Sequence, residues 1–217
     1  MGMSLKKNLD VIVYEHLWEK IIRGQWVPGQ MIAVDELAEE YGVSRTPILQ
    51  ALRRMNANRM ITITNTGHHL VPQFTEKNVR DLVEMRLLLE LQAVQDIAAS
   101  SFPIPIEELR TLASTCASFN STGDTFQTRL NDLRFHRKLV ECAGNSYLCD
   151  LYERIQGQFM VANYLITSHT AEQQRVAADD HLQIVESLET GNFALAEDEI
   201  REHILGALNK MLNKMKA

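Results

Sequence analysis

Val34-Asp35-Glu36-Leu37-Ala38-Glu39-Glu40-Tyr41-Gly42-Val43-Ser44-Arg45-Thr46-Pro47-Ile48-Leu49-Gln50-Ala51-Leu52-Arg53-Arg54-Met55 is the stretch on which the reading of this chain turns. Leu37, Ala38 and Tyr41 recur at helical spacing, which predicts a short helix over Val34–Tyr41, and Gly42 follows where a left-handed cap is needed. Ser44 opens the next helix, its hydroxyl expected to accept from a free backbone N–H of the first turn. Pro47 falls in that turn, where its missing N–H costs little. Ile48, Ala51, Leu52 and Met55 then form one buried stripe. Two helices joined by so tight a turn make a helix-turn-helix.

Working outward, Val11, Tyr14, Leu17, Trp18, Ile21 and Ile22 predict a preceding helix from about Asn8 to Arg23, with a turn over Gln25–Gln30. Downstream the apolar period changes to two. Met60–Thr64 and His69–Val71 flank Asn65-Thr66-Gly67, a hairpin signal. Helix, helix, turn, helix, hairpin is the order of a winged helix. These residues delimit an N-terminal domain over 8–72, followed by a linker over 73–78. Beyond Thr75 the pattern is helical, over about 75–100, 105–122, 124–143, 146–168, 170–190 and 193–215, with breaks at Pro103, Pro105, Gly123, Gly144-Asn145, His169-Thr170 and Gly191-Asn192. The fold class is therefore mostly α: a winged helix-turn-helix, then an all-α antiparallel bundle of about six helices over 79–217.

The 217 residues carry a net charge of −6, which as an average argues against nucleic acid. The average conceals an asymmetry. Through Phe74 there are 8 basic and 7 acidic side chains, against 14 and 21 beyond it. No Asp or Glu occurs from Tyr41 to Thr75, while Arg45, Arg53, Arg54, Arg59, His68 and His69 do, so this stretch suits a phosphate-facing surface. No apolar run is long enough to span a bilayer and no signal-type segment opens the chain, which points to a cytoplasmic protein. Cys116, Cys142 and Cys149 are odd in number without CxxC spacing, and read as small core residues.

In a helix-turn-helix the second helix enters the major groove of double-stranded DNA, its first turn reaching base edges and phosphate. Here that turn is Ser44-Arg45-Thr46-Pro47, and Arg45 is the expected base reader, forking onto guanine. Arg53 and Arg54 either contact phosphate or only solvate the helix. The series Ile22-x-Gly24, Pro28-Gly29, Glu36-Leu37-Ala38, Gly42-Val43-Ser44-Arg45-Thr46-Pro47 and Ala51-Leu52 resembles the N-terminal domain of the GntR family of regulators. That resemblance places Gly67 at the wing tip with His68 beside it. The chain departs from it at Leu49-Gln50, where the family usually has Arg-Glu, so one common base-contacting arginine is absent. It departs again at Arg59, where a glycine usually leads into the wing. Asn58 is the expected left-handed cap there.

In the second domain Asp132 and His136 are four residues apart, hence on one helix face one turn apart. His181 and His203 lie on the last two helices. One carboxylate and three imidazoles suit a divalent transition metal, zinc first, with nickel, manganese or iron as alternatives, and leave positions for water or an anion. The series Arg86-x-x-Leu89-Glu90, Asp132-x-x-Phe135-His136, Gly144-Asn145, His181, Gly191-Asn192 and His203 is similar to the FCD ligand-binding domain of FadR-type GntR regulators, with six helices as in the VanR-like subgroup. The resemblance implies that Asp132, His136, His181 and His203 are the metal ligands. It also implies a homodimer reading a pseudo-palindromic operator, a small organic acid as effector, and repression of a metabolic operon. Arg86 is the candidate to fork onto the effector carboxylate, or else pairs with a bundle carboxylate such as Glu90. Asn163 interrupts an apolar run and is placed in the same pocket. His16, His69 and His169 read as surface residues. Two other functions fit part of the pattern: a metal sensor without an organic effector, and a metal-dependent hydrolase, which lacks a clear general base and leaves the recognition helix without a role.

Overall fold

The structure, a computed structural model, describes residues 9–118, 125–167 and 171–216. Asn8, Gly123 and His169, named above, lie outside the described residues. The chain divides between Gln73 and Phe74 into two compact units. The first contains α1 (Leu9–Ile22), β1 (Met31–Ile32), α2 (Val34–Tyr41), α3 (Arg45–Ala57), β2 (Thr62–Ile63) and β3 (His69–Leu70). Its core is the stripe anticipated for α3, with Ile48, Ala51, Leu52 and Met55 at 1% exposure or less, packed with Leu17 and Ile21 of α1. Gly42 sits at φ 63° and its N–H caps the carbonyls of α2, as the turn into α3 requires.

The wing is a three-stranded sheet rather than a bare hairpin. β3 pairs antiparallel with β2 (Thr62 opposite Leu70) and with β1 (Met31 opposite Leu70), so the strand order is β1-β3-β2. β1 went unnoticed in the sequence because two residues carry no period. The Asn56 amide oxygen accepts from the Ile63 N–H at 3.1 Å and ties the end of α3 to the wing. His69 is half-buried within β3 rather than on the open surface.

Two local expectations are corrected. Ser44 does precede α3 in extended conformation, but its side chain makes no capping hydrogen bond, so the free N–H groups of the first turn remain available. Asn58 is not left-handed (φ −91°, ψ 11°); Arg59 itself takes φ 52°, the one positive-φ non-glycine among the described residues. A Cβ is strained there. Arg59→Gly is expected to raise stability by about 0.5–1 kcal/mol, the steric relief being offset in part by glycine's extra freedom when unfolded. An unchanged or lower thermal midpoint would show that the Arg59 side chain contributes more than its backbone costs.

Among its described residues the elements of the second unit are all helices: α4 (Glu76–Ala99), α5 (Ile106–Ser118), α6 (Thr125–Glu141), α7 (Ser146–Ile166), α8 (Ala171–Glu189) and α9 (Phe193–Lys216). α4 opens on a reciprocal cap, Thr75 Oγ1 accepting from the Asn78 N–H and Asn78 Oδ1 from the Thr75 N–H. The main core gathers Val83, Val94 and Ile97 of α4, Leu109 and Ala113 of α5, and Phe135 and Leu139 of α6. It is closed by Phe159 of α7, Ile184 and Val185 of α8, and Ile200, Ile204 and Met211 of α9. All three cysteines are free, with Cys116 buried and Cys142 and Cys149 partly so. Burial pushes the Cys142 thiol up to about 11, so it stays protonated. Among the described residues no helix is long and apolar enough to cross a membrane.

Candidate functional site

α6, α8 and α9 bring four side chains to one point. Phe135 and Leu139, fully buried, anchor α6 and aim Asp132 and His136 inward; Ile184 and Ile204 do the same for His181 on α8 and His203 on α9. The Nε2 atoms of the three histidines form a triangle: 3.1 Å from His181 to His136, 3.2 Å from His136 to His203 and 3.3 Å from His181 to His203. Asp132 Oδ1 lies 3.4 Å from His181 Nε2 and 3.8 Å from His136 Nε2. One ligand atom from each of the four lies within 4.8 Å of the others.

The outer nitrogens show why these atoms are not simply hydrogen-bonded to one another. His136 Nδ1 is 2.8 Å from Glu90 Oε2 and His203 Nδ1 is 3.0 Å from Asp180 Oδ2. A carboxylate accepts only, so each Nδ1 carries the proton and each Nε2 presents a bare lone pair. Two lone pairs at 3.2 Å repel. A cation between them turns that repulsion into coordination, and nitrogens about 2.1 Å from one ion stand about 3.0–3.4 Å apart for octahedral or tetrahedral angles. The donor set therefore fits a divalent transition metal.

Behind His136 the Glu90 carboxylate is wholly buried and fully satisfied. It accepts from Arg86 Nε (2.7 Å), Tyr152 OH (2.7 Å) and His136 Nδ1. Burial alone would raise its pKa, but His136 and Arg86 outweigh burial and hold it well below the ordinary range. Arg86 is thus committed to Glu90 within α4, with its guanidinium 4.3 Å from the Phe159 ring centroid, although it also lines the cavity beside the histidines. His181 has no such support. Among the described residues its Nδ1 is buried without a partner, and the ring is stacked on Phe135 at 4.3 Å between centroids.

Burial lowers the pKa of His136 and, more strongly, of His181, whose neighbours His203 and His136 add to the effect. The folded metal-free protein therefore binds fewer protons than the unfolded chain at these histidines below 6.5, and at Glu90 below 4.5. Stability of the metal-free protein is expected to fall as pH drops through the first value and again through the second. A thermal midpoint flat from neutrality to mild acid would contradict this.

The cavity in front of the histidines has a volume of about 330 Å³. Arg86, Asp132, Asn163, His181 and His203 all line it, so Asn163 does face the space assigned to it in the sequence. In the other unit, Ser44, Arg45 and Thr46 are exposed at the start of α3, as are Arg53, Gly67 and His68. Arg45 Nε makes an exposed ion pair with Asp35 Oδ1 at 3.1 Å. The Arg54 guanidinium lies 4.3 Å from the Tyr14 ring centroid.

Two family descriptions match this chain: bacterial regulatory proteins of the gntR family over residues 10–67, and the FCD domain over residues 81–206. The chain belongs to the GntR family, in its FadR-type, FCD-bearing branch. It is a transcription regulator rather than an enzyme, which removes the hydrolase reading. An HTH-type transcriptional regulator of Bacillus subtilis (strain 168), YdhC, is 28% identical over 201 residues, covering 90% of this chain and 86% of that protein. A probable D-xylose utilization operon transcriptional repressor of Paenarthrobacter nicotinovorans is 27% identical, covering 92% and 84%. Among solved structures, McbR/YncC of E. coli superposes with a TM-score of 0.82 at 19% identity, covering 96% of this chain and 99% of that one, which shows the fold.

Several contributors to this regulator's site were missed in the sequence. Asp180 precedes His181 yet bonds to His203, and Tyr152 and Glu90 meet across 62 positions. Only the Arg86–Glu90 spacing of four carried a local signal.

Proposed function

We propose that this GntR/FCD regulator binds operator DNA through residues 8–72 and senses a small carboxylate at a metal site in residues 79–217, the expected linker over 73–78 being shortened because its last three residues open α4. The observation that carries the sensing half is the triangle of bare Nε2 atoms at the wall of a cavity of ligand size. Asp132, His136, His181 and His203 would hold a divalent ion, zinc first, with nickel, manganese or iron as alternatives. Such an ion supplies a positive, coordinatively open point for a carboxylate. Asn163 and Arg86 border the acid, Arg86 lending positive potential while Glu90 holds it in place.

On the DNA side, Arg45 reads a base in the major groove, Ser44, Thr46 and Arg53 meet the backbone, and Gly67 with His68 forms the approaching wing tip. The absence of a capping bond from Ser44 and of acid between Tyr41 and Thr75 favours a phosphate at the start of α3. Homodimerisation is supported by Met85 and Leu88 on α4 and Tyr147 and Leu151 on α7, apolar side chains between 43% and 81% exposed beside the line where the two helices pack. Two such subunits read a pseudo-palindrome in the cytoplasm, and effector binding shifts operator occupancy by preferring one arrangement of the dimer. Repression of a metabolic operon is the mode proposed.

The test is operator binding by fluorescence anisotropy. Arg45→Ala is expected to lose about 1–3 kcal/mol of discrimination at each half-site, leaving salt-sensitive non-specific binding. Unchanged specific binding would remove Arg45 from the interface. A metal sensor without an organic effector is the second reading, and stabilisation of the metal-saturated protein by a carboxylate in a thermal shift assay would exclude it.

A further inference from the structure

We infer that the effector carries two anionic groups, one carboxylate at the histidine end of the cavity and a second group held by Lys210 and Lys214. This rests on reading the cavity as a carboxylate site. α9 supplies both ends of it: His203, Gly206, Ala207, Lys210 and Lys214 all line the same space, and their spacings of three, four, seven and eleven place them along one helix face. Lys210 and Lys214 are exposed and, among the described residues, neither is engaged in an ion pair. In a chain with six more acidic than basic side chains, two uncommitted cations beside a cavity are a positive end awaiting a charge.

The acidic groups of the cavity lie at the other end. Asp132 belongs to the four-residue cluster, Asp180 is bonded to His203, and Glu202 precedes His203 on α9. Between the ends the floor is kept low. A Cβ added to Gly206 would meet nothing within 4 Å, so this helical glycine leaves open space where any side chain would fill it. On the opposite wall Asn163 uses its carbonyl oxygen to accept from Thr167 Oγ1 at 2.9 Å, which leaves its amide N–H groups for the middle of a ligand.

The spacing sets the size. Seven residues of helix separate His203 and Lys210 by about 10.5 Å, and side chains lean toward the helix N-terminus, so Lys210 reaches back toward the histidines. The two anionic groups are then less than about 10 Å apart, which suits an acid of four to six backbone carbons ending in a second carboxylate or a phosphate. Metal, acid and lysines have separate work: the first end is common to any carboxylate, the second selects.

Isothermal titration calorimetry on the zinc-saturated full-length protein tests this with two matched pairs, hexanoate against adipate and gluconate against phosphogluconate. At least one acid with two anionic groups is expected to bind about ten- to a hundredfold more tightly than its monoanionic match, as charge-assisted hydrogen bonds allow, and the favoured pair identifies the second group as carboxylate or phosphate. In the Lys210→Ala/Lys214→Ala protein that advantage should vanish while monoanion affinity and zinc content stay as they were. Gly206→Leu should block every acid and spare the zinc. Equal affinity within both pairs, or an advantage that survives loss of both lysines, overturns the second subsite alone. If no acid binds the zinc-loaded protein, the carboxylate reading itself falls and this inference with it.

Discussion

A protein with His136 replaced by alanine is expected to emerge from dialysis with its metal content near zero, where the parent is expected to keep about one ion per chain. Of the four proposed ligands, His136 is the best placed for this test. Its Nε2 is within 3.2 Å of both other imidazoles, and its Nδ1 is fixed by Glu90, so its lone pair is held at the centre of the cluster. Elemental analysis of the folded variant is the measurement, with circular dichroism to show that α6 is intact. Full stoichiometry in a folded variant would remove His136 from the ligand set. Should His136→Ala fail to fold, His203→Ala is the alternative, because that ring is only partly buried and its partner Asp180 can turn to water.

Glu90→Ala is expected to cost about 3–5 kcal/mol in chemical denaturation, among the largest single effects available in this chain. The loss does not measure the worth of the ion pair. It arises because Arg86, at 3% exposure, is left with its charge and no carboxylate, and because Tyr152 and His136 each lose a buried acceptor. Glu90→Gln separates structure from tuning: it keeps the volume and one acceptor, and should weaken metal binding by about 10–100-fold through His136 while folding is retained. A cost below about 1 kcal/mol for Glu90→Ala would mean that Arg86 has reached solvent or Asp132 instead.

Both variants act on contacts that the sequence showed unevenly. Each helix was announced by its own periodicity and its own stop, such as Gly42 after Tyr41 or Gly191-Asn192 between α8 and α9, because helix capping and amphipathicity are local. Asp132 and His136 were legible for the same reason, one turn apart on α6. His181 and His203 could be read as possible partners on the last two helices, but only resemblance to a family singled them out as ligands, since nothing local says that α8 and α9 bring them to α6. The bonds from Glu90 and Asp180 to the ring nitrogens were invisible, being made by packing across tens of residues. In the first unit the errors are those of backbone detail: the strain sits on Arg59 rather than Asn58, and the Ser44 hydroxyl caps nothing, both settled by dihedral angles that composition does not encode.

α9 divides its work between two faces. Ile200, Ile204 and Met211 belong to the core, and the packing of the bundle depends on them. Gly206 and Lys210, facing the cavity, bear no comparable load. Substitutions there can change which molecule is recognised without touching what keeps the domain folded. If this helix lines an effector site as proposed, its cavity face is free to change specificity by single substitutions while the core face keeps the bundle folded.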